Sequence, residues 1–193
     1  VHSTTNQIGL GLAIKDFEHL EKFKKSLNLE CGIKVREITK SCRITFFSKK
    51  MKQDLINLGC IPKKSLTLER PKNIPDELKI HFIRGYFDGD GCLTIYRKNK
   101  EIDNYIPACK IIGTENLLNF IIEEIDINAG KIRLANKNGN EKCKEFGYYS
   151  KNAIEFLKMI YENSNIHLDR KFLRYKTLRE NNFAVQRKKF AGL

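Results

Sequence analysis

Apolar positions along this chain follow two periods, and the periods change in the same order twice. Residues 8–14 alternate Ile8, Leu10, Leu12 and Ile14 with small side chains, which predicts a half-buried strand. Asp16 is placed to cap a helix over 17–28, a hairpin is expected from 33–38 and 42–47, and a helix over 49–58 ends at Gly59. About 100 residues further on the order returns. A strand is predicted at 108–113, Thr114 opens a helix to Ile125, strands at 131–134 and 144–149 pair, and 151–162 is helical. Lys34-Val35-Arg36 answers Lys131-Ile132-Arg133, and Ser48-Lys49 answers Ser150-Lys151. The chain therefore reads as two copies of one unit, divided into 1–70 and 71–193.

Between the copies lies a helical run that closes on two carboxylates. Pro75 suits its first turn, Asp76 and Glu77 suit its positive end, and Leu78, Phe82, Gly85 and Gly89 fall on one stripe. Gly85 and Gly89 strip that face of bulk, so a second helix could approach closely, with Phe82 in the contact. Asp88 and Asp90 come where the helix stops. D-G-D-G alone also describes a helix C-terminal turn feeding a strand. A calcium loop of the EF-hand kind fits worse: counting from Asp88, Leu93 stands where Gly is needed and Asn99 where Glu is needed.

The stretch Ile83 to Gly91, I-R-G-Y-F-D-G-D-G, resembles the signature of the LAGLIDADG homing endonucleases. Arg84 and Phe87 depart mildly from that pattern, where the family has a small and an aliphatic residue. The resemblance implies an α+β fold of two pseudo-symmetric α-β-β-α-β-β-α halves with antiparallel, saddle-shaped sheets. It implies site-specific hydrolysis of both strands of DNA, with Mg2+ or another divalent ion (Mn2+ or Ca2+) held by Asp90 and by the Gly89 carbonyl. Asp88 matches the position that fixes the turn. By the repeat, a first motif helix is expected before Val1, so the first half lacks its own. The implied protein is a monomer of two halves, or one that takes the missing helix from a second polypeptide. A single-motif homodimer fits the repeat less well. A relative that binds DNA or RNA without cutting, such as an intron maturase or a regulator, is the other reading.

Charge supports a polyanionic partner: 36 Lys and Arg against 23 Asp and Glu give +13. Strand alternation puts Lys34, Arg36 and Arg43 on one face of the first hairpin, opposite Ile33, Val35, Ile44 and Phe46. In the second half Thr94, Tyr96 and Lys98 oppose Leu93 and Ile95, Lys131 and Arg133 oppose Ile132 and Leu134, and Lys110 and Lys137 add charge nearby. Such a face is either an ordinary hydrophilic exterior or a ribbon that lies in a major groove of double-stranded DNA and reads a long site. Lys49, Lys151 and Lys98 are the candidates for a basic catalytic group; His81 is read as structural, His19 and His167 as surface groups. The basic, amphipathic stretch 168–190 either touches backbone, packs on the second half or is a solvated end.

Six cysteines without C-x-x-C spacing argue against zinc and for free thiols in a reducing compartment, cytoplasmic or organellar rather than secreted. Cys42, Cys92, Cys109 and Cys143 are read as small hydrophobes in strands. No apolar run approaches the roughly 20 residues of a membrane span, and the amino end does not read as a signal peptide.

Overall fold

The alternation at 8–14 folds as β1 (Gln7–Ala13), but Ile14 leaves the strand for a single 3-10 turn, Ile14–Asp16. A computed structural model describes residues 1–62, 66–97, 105–136 and 139–180. The chain falls into two units, Val1–Pro75 and Asp76–Leu193.

In the first unit, α1 (Phe17–Ser26) follows the turn. Asp16 is buried at its start but stands at φ −106° and ψ 20°, outside the extended backbone of a capping residue, and makes no side-chain cap. Strands β2 (Ile33–Arg36) and β3 (Ser41–Phe47) pair antiparallel, and β3 also pairs with β1, giving the order β1-β3-β2. β2 stops short of Ile38, which is fully exposed where Lys40 turns the chain at φ 46°. Ser48 then caps α2 (Lys49–Asn57) by accepting from the Met51 backbone at 3.2 Å. Leu20, Cys42 and Ile44 form the core, with Leu10, Leu12, Phe17, Phe23 and Ile33 against them. Val35 shares that face by register, yet it is 43% exposed on β2, which is an edge strand of the sheet.

The second unit begins with α3 (Asp76–Asp90), which runs directly into β4 (Gly91–Arg97). β5 (Tyr105–Gly113), α4 (Glu115–Ile125), β6 (Arg133–Leu134), β7 (Lys144–Tyr149), α5 (Lys151–Tyr161) and α6 (Asp169–Glu180) follow. Its sheet has the order β4-β5-β7-β6, all antiparallel. Thr114 precedes α4 without a side-chain cap. Lys131 and Ile132 lie outside β6, because the Gly130 N–H donates to the Gly147 carbonyl and pairing resumes only at Arg133. The strand alternation expected for Lys131 and Ile132 therefore does not apply to them.

The β5-β7-β6 run of this sheet repeats β1-β3-β2: in each, the last of the three strands in sequence sits between the other two. The repeat seen in the sequence is thus a repeat of topology. Leu93, Cys109, Ile111, Phe146 and Tyr148 fill the covered face of the second sheet beneath Leu118, Phe156, Leu157 and Ile160. The protein is α+β, with antiparallel sheets in both units.

Cys42 and Cys109 are buried, and burial pushes both thiols up. Two other cysteines differ from expectation. Cys92 faces solvent on β4, and Cys143 sits before β7 in a turn closed by its bond to Asn140. Among the described residues no helix is long and apolar enough to cross a membrane.

Candidate active site and nucleic-acid interface

Helix α3 turns Ile83, Arg84, Phe87 and Asp88 inward and leaves Gly85, Gly89 and Asp90 exposed. Phe87 is fully buried, its ring edge-on to Phe156 at 5.1 Å between centroids. The glycine stripe is bare: a Cβ at Gly85 or Gly89 would meet no atom within 4 Å. Phe82 instead finds its contacts inside the unit, edge-on to Phe120 at 6.0 Å and stacked with Tyr86 at 6.4 Å.

The two motif carboxylates have different surroundings. Asp88 is 7% exposed and accepts from the Tyr161 hydroxyl at 2.5 Å and from the Leu168 N–H at 2.9 Å. Both bonds are charge-assisted, and they tie the end of α5 and the segment after it to the end of α3. Burial, with Asp88 adding its charge, pushes the Tyr161 hydroxyl far above its ordinary value. Asp90 is exposed at the last position of α3, where the helix dipole already favours a cation.

Arg84, 8% exposed, donates to the Ile166 carbonyl at 3.0 Å, the Ile160 carbonyl at 3.1 Å and His81 Nδ1 at 2.6 Å. Burial draws its guanidinium down, partly opposed by Asp88 and Tyr161. From α6, the buried Lys171 ammonium donates to the carbonyls of Asp88 at 3.0 Å and of Phe87 and Gly91. It also lies 4.7 Å from the Phe87 ring centroid. This ammonium caps the helix end, while the Gly89 carbonyl and the Asp90 carboxylate stay outside the cap. Arg174 adds a bond to the Leu93 carbonyl at 2.7 Å. Of the three readings of the basic tail, α6 takes the one that packs it on the second unit; residues beyond 180 lie outside the described residues.

Each sheet presents an open face. In the first unit Lys34 and Arg43 face each other across β2 and β3, with Arg36 beside them, all three exposed. The Arg43 guanidinium lies over Gly9, where a Cβ would come within 2.7 Å of Nη2. In the second unit Thr94 and Tyr96 share the open face with Lys110 and Arg133. Lys110 lies opposite Cys92, two residues beyond Asp90, which makes it the basic residue that the sheet register brings closest to the motif turn.

Other candidates lie elsewhere. Lys151 opens α5, and the neighbouring Ser150 N–H bonds to Pro107, four residues along β5 from the Ile111 that pairs with Gly91. Four residues of strand span about 13 Å, so Lys151 stands at the far end of β5 from Asp90. Lys49 holds the equivalent first position of α2 in its own unit and is exposed. Lys131 is exposed just before β6. Lys98 and Lys137 lie outside the described residues. His167 is not the surface group expected: its side chain is 11% exposed and stacks on Phe172 at 3.8 Å. Among the described residues no three His, Cys, Asp or Glu side chains gather as metal ligands.

Sequence reasoning missed Lys171, Tyr161 and Glu145. Lys171 sat within a basic tail whose periodicity does not separate an inward lysine from solvated ones.

No protein-family model matches the chain. A stretch of 155 residues is 26% identical to the ATP-dependent DNA helicase Hel308 of Methanocaldococcus jannaschii, covering 77% of this chain and 12% of the helicase. Among solved structures, the LAGLIDADG homing endonuclease I-LtrWI bound to target DNA superposes with TM-score 0.60 at 15% identity, covering 94% of this chain and 84% of that one. The meganuclease I-SmaMI bound to uncleavable DNA gives 0.61 at 13%, covering 95% and 81%. I-GzeII, a LAGLIDADG homing endonuclease in complex with its DNA target, gives 0.61 at 12%, covering 96% and 85%. The helix that carries I-R-G-Y-F-D-G-D-G, the repeated strand order and these superpositions agree: the chain has the LAGLIDADG homing endonuclease fold.

Proposed function

We propose that this chain forms a site-specific endonuclease that hydrolyses both strands of a DNA duplex. The observation that carries the reading is the division of labour at the end of α3, where Asp88 is consumed by Tyr161 and Leu168 while Asp90 is left exposed. An exposed carboxylate and a neighbouring carbonyl at the negative end of a helix suit a hard divalent ion such as Mg2+, with Asp90 and Gly89 as its holders. When bound, such an ion lowers the pKa of water and stabilises charge on the phosphate oxygens.

The protein's own residues supply the rest. Lys171, Arg84 and Asp88 hold the turn, so that Asp90 is presented on a fixed backbone. Lys110, close by in the register, binds phosphate. Thr94, Tyr96 and Arg133 in one unit, and Lys34, Arg36 and Arg43 in the other, supply groove and backbone contacts, as do Lys98, Lys131 and Lys137. The bare stripe at Gly85 and Gly89 receives a second motif helix, which brings a second carboxylate. The sequence G-x-x-x-x-G-K-[ST] does not occur in this chain, so the likeness to a helicase adds no nucleotide hydrolysis to this reading.

The second reading is a DNA- or RNA-binding relative on the same scaffold that does not cut. Binding measured with randomised DNA duplexes, RNA duplexes and single strands tests the first claim. Selective retention of duplex DNA, unchanged in Asp90→Asn, supports the DNA reading; preference for RNA sinks it.

A further inference from the structure

We propose that Glu145 is a specificity-determining positioning residue, which holds Arg133 so that the free end of its guanidinium reads a guanine. The inference rests on the duplex-DNA reading above and names one element of its recognition.

Glu145 lies on the open face of the second sheet near the start of β7, paired with Arg133 of β6 on one side and Ile112 of β5 on the other. Its side chain is 14% exposed and that of Arg133 is 60% exposed. Glu145 Oε1 accepts from Arg133 Nε at 2.9 Å and lies 2.9 Å from Nη2. Lys110 Nζ is 3.9 Å from the same oxygen.

An arginine has five N–H donors in a rigid plane. Glu145 takes the side of the fork made by Nε and one Nη2 hydrogen. Three donors remain, among them the end-on pair of one hydrogen each from Nη1 and Nη2, and this pair matches N7 and O6 of guanine in a major groove. Holding the guanidinium in advance also removes ordering that the free side chain would otherwise undergo on binding.

Two simpler roles fit less well. A cross-strand ion pair with one partner this exposed contributes little to stability. A face that only gripped phosphate would bind more tightly without a carboxylate among its basic groups.

The test compares duplex selection profiles and salt-dependent affinity for the wild type, Glu145→Gln, Arg133→Lys and the double variant, with thermal melts to establish folding. The wild type is expected to prefer guanine at one base pair. Glu145→Gln and Arg133→Lys each reduce that preference about tenfold, leave the other positions unchanged, and do not add in the double variant. Glu145→Gln also binds non-cognate duplex more tightly, because a repelling charge is gone. A Glu145→Gln profile equal to the wild type, or weakened evenly at all positions, overturns the proposal. A wild type that binds no duplex overturns the DNA reading and this inference with it.

Discussion

The buried Tyr161 hydroxyl donates to Asp88 at 2.5 Å, and this bond joins the end of α5 to the turn from which Asp90 projects. It explains how two carboxylates separated by one glycine come to have different roles. Asp88 is held by a hydroxyl and a backbone N–H in the interior, whereas Asp90, two residues on, has passed the last buried position of the helix. Removing the hydroxyl leaves a buried carboxylate short of a donor. Tyr161→Phe should destabilise the fold by about 1–3 kcal/mol, measured by urea unfolding. Loss of less than about 0.5 kcal/mol would show that the bond does not organise the turn.

Alkali should act through the same interior. Burial raises the hydroxyls of Tyr161, Tyr148 and Tyr86 and the thiol of Cys109 above their ordinary values, and the charge of Asp88 adds for Tyr161. Groups raised in the folded state keep protons that the unfolded chain gives up. Their contribution is full below the unfolded values, about 8.5 for Cys and 10 for Tyr, and falls as pH rises beyond them. Stability should therefore begin to fall above about pH 8.5, where Cys109 enters, and fall more steeply above about pH 10, where the tyrosines do. Tyr148, whose hydroxyl has no partner among the described residues, offers the cleaner control. Tyr148→Phe should be near neutral at pH 7 and lessen the alkaline fall, read by denaturant midpoints across pH.

Lys171 is the next test of the helix end. Lys171→Met fills similar volume but leaves the carbonyls of Phe87, Asp88 and Gly91 without the ammonium that joins them. A loss of about 2–3 kcal/mol is expected from equilibrium unfolding. An unchanged midpoint would refute the capping role.

Glycines in the motif should respond in opposite directions. A Cβ at Gly91 would lie 2.2 Å from Phe87 Cδ2 and 2.5 Å from its carbonyl oxygen, so Gly91→Ala should cost about 3 kcal/mol or prevent folding. At Gly85 the added methyl meets nothing, and alanine suits a helix interior better. Gly85→Ala should raise stability by about 0.5–1 kcal/mol. Paired thermal melts decide both.

Much of this was legible in the residues. Alternation at Ile8, Leu10, Leu12 and at Cys42, Ile44, Phe46 is local, and it located strands to within a residue or two. The topological repeat showed through its recurring order of periods. What the sequence hid was tertiary. Nothing in their residue type distinguishes Lys171, buried against a helix end, from Lys176 five residues on, which is exposed. Glu145 occurs in a charged strand, and its role depends on Arg133, which only sheet register brings opposite. Lys131 misled because a hydrogen bond from Gly130 to Gly147 displaces the pairing that simple alternation assumes.

The most direct measurement is magnesium-dependent cleavage of the selected duplex, with product ends mapped on both strands, by this chain with a second motif helix supplied, beside Asp90→Asn. Cutting of both strands that vanishes in Asp90→Asn while duplex binding persists is the predicted result. Equal cutting by Asp90→Asn, or binding without cutting in magnesium, manganese and calcium alike, would contradict the account.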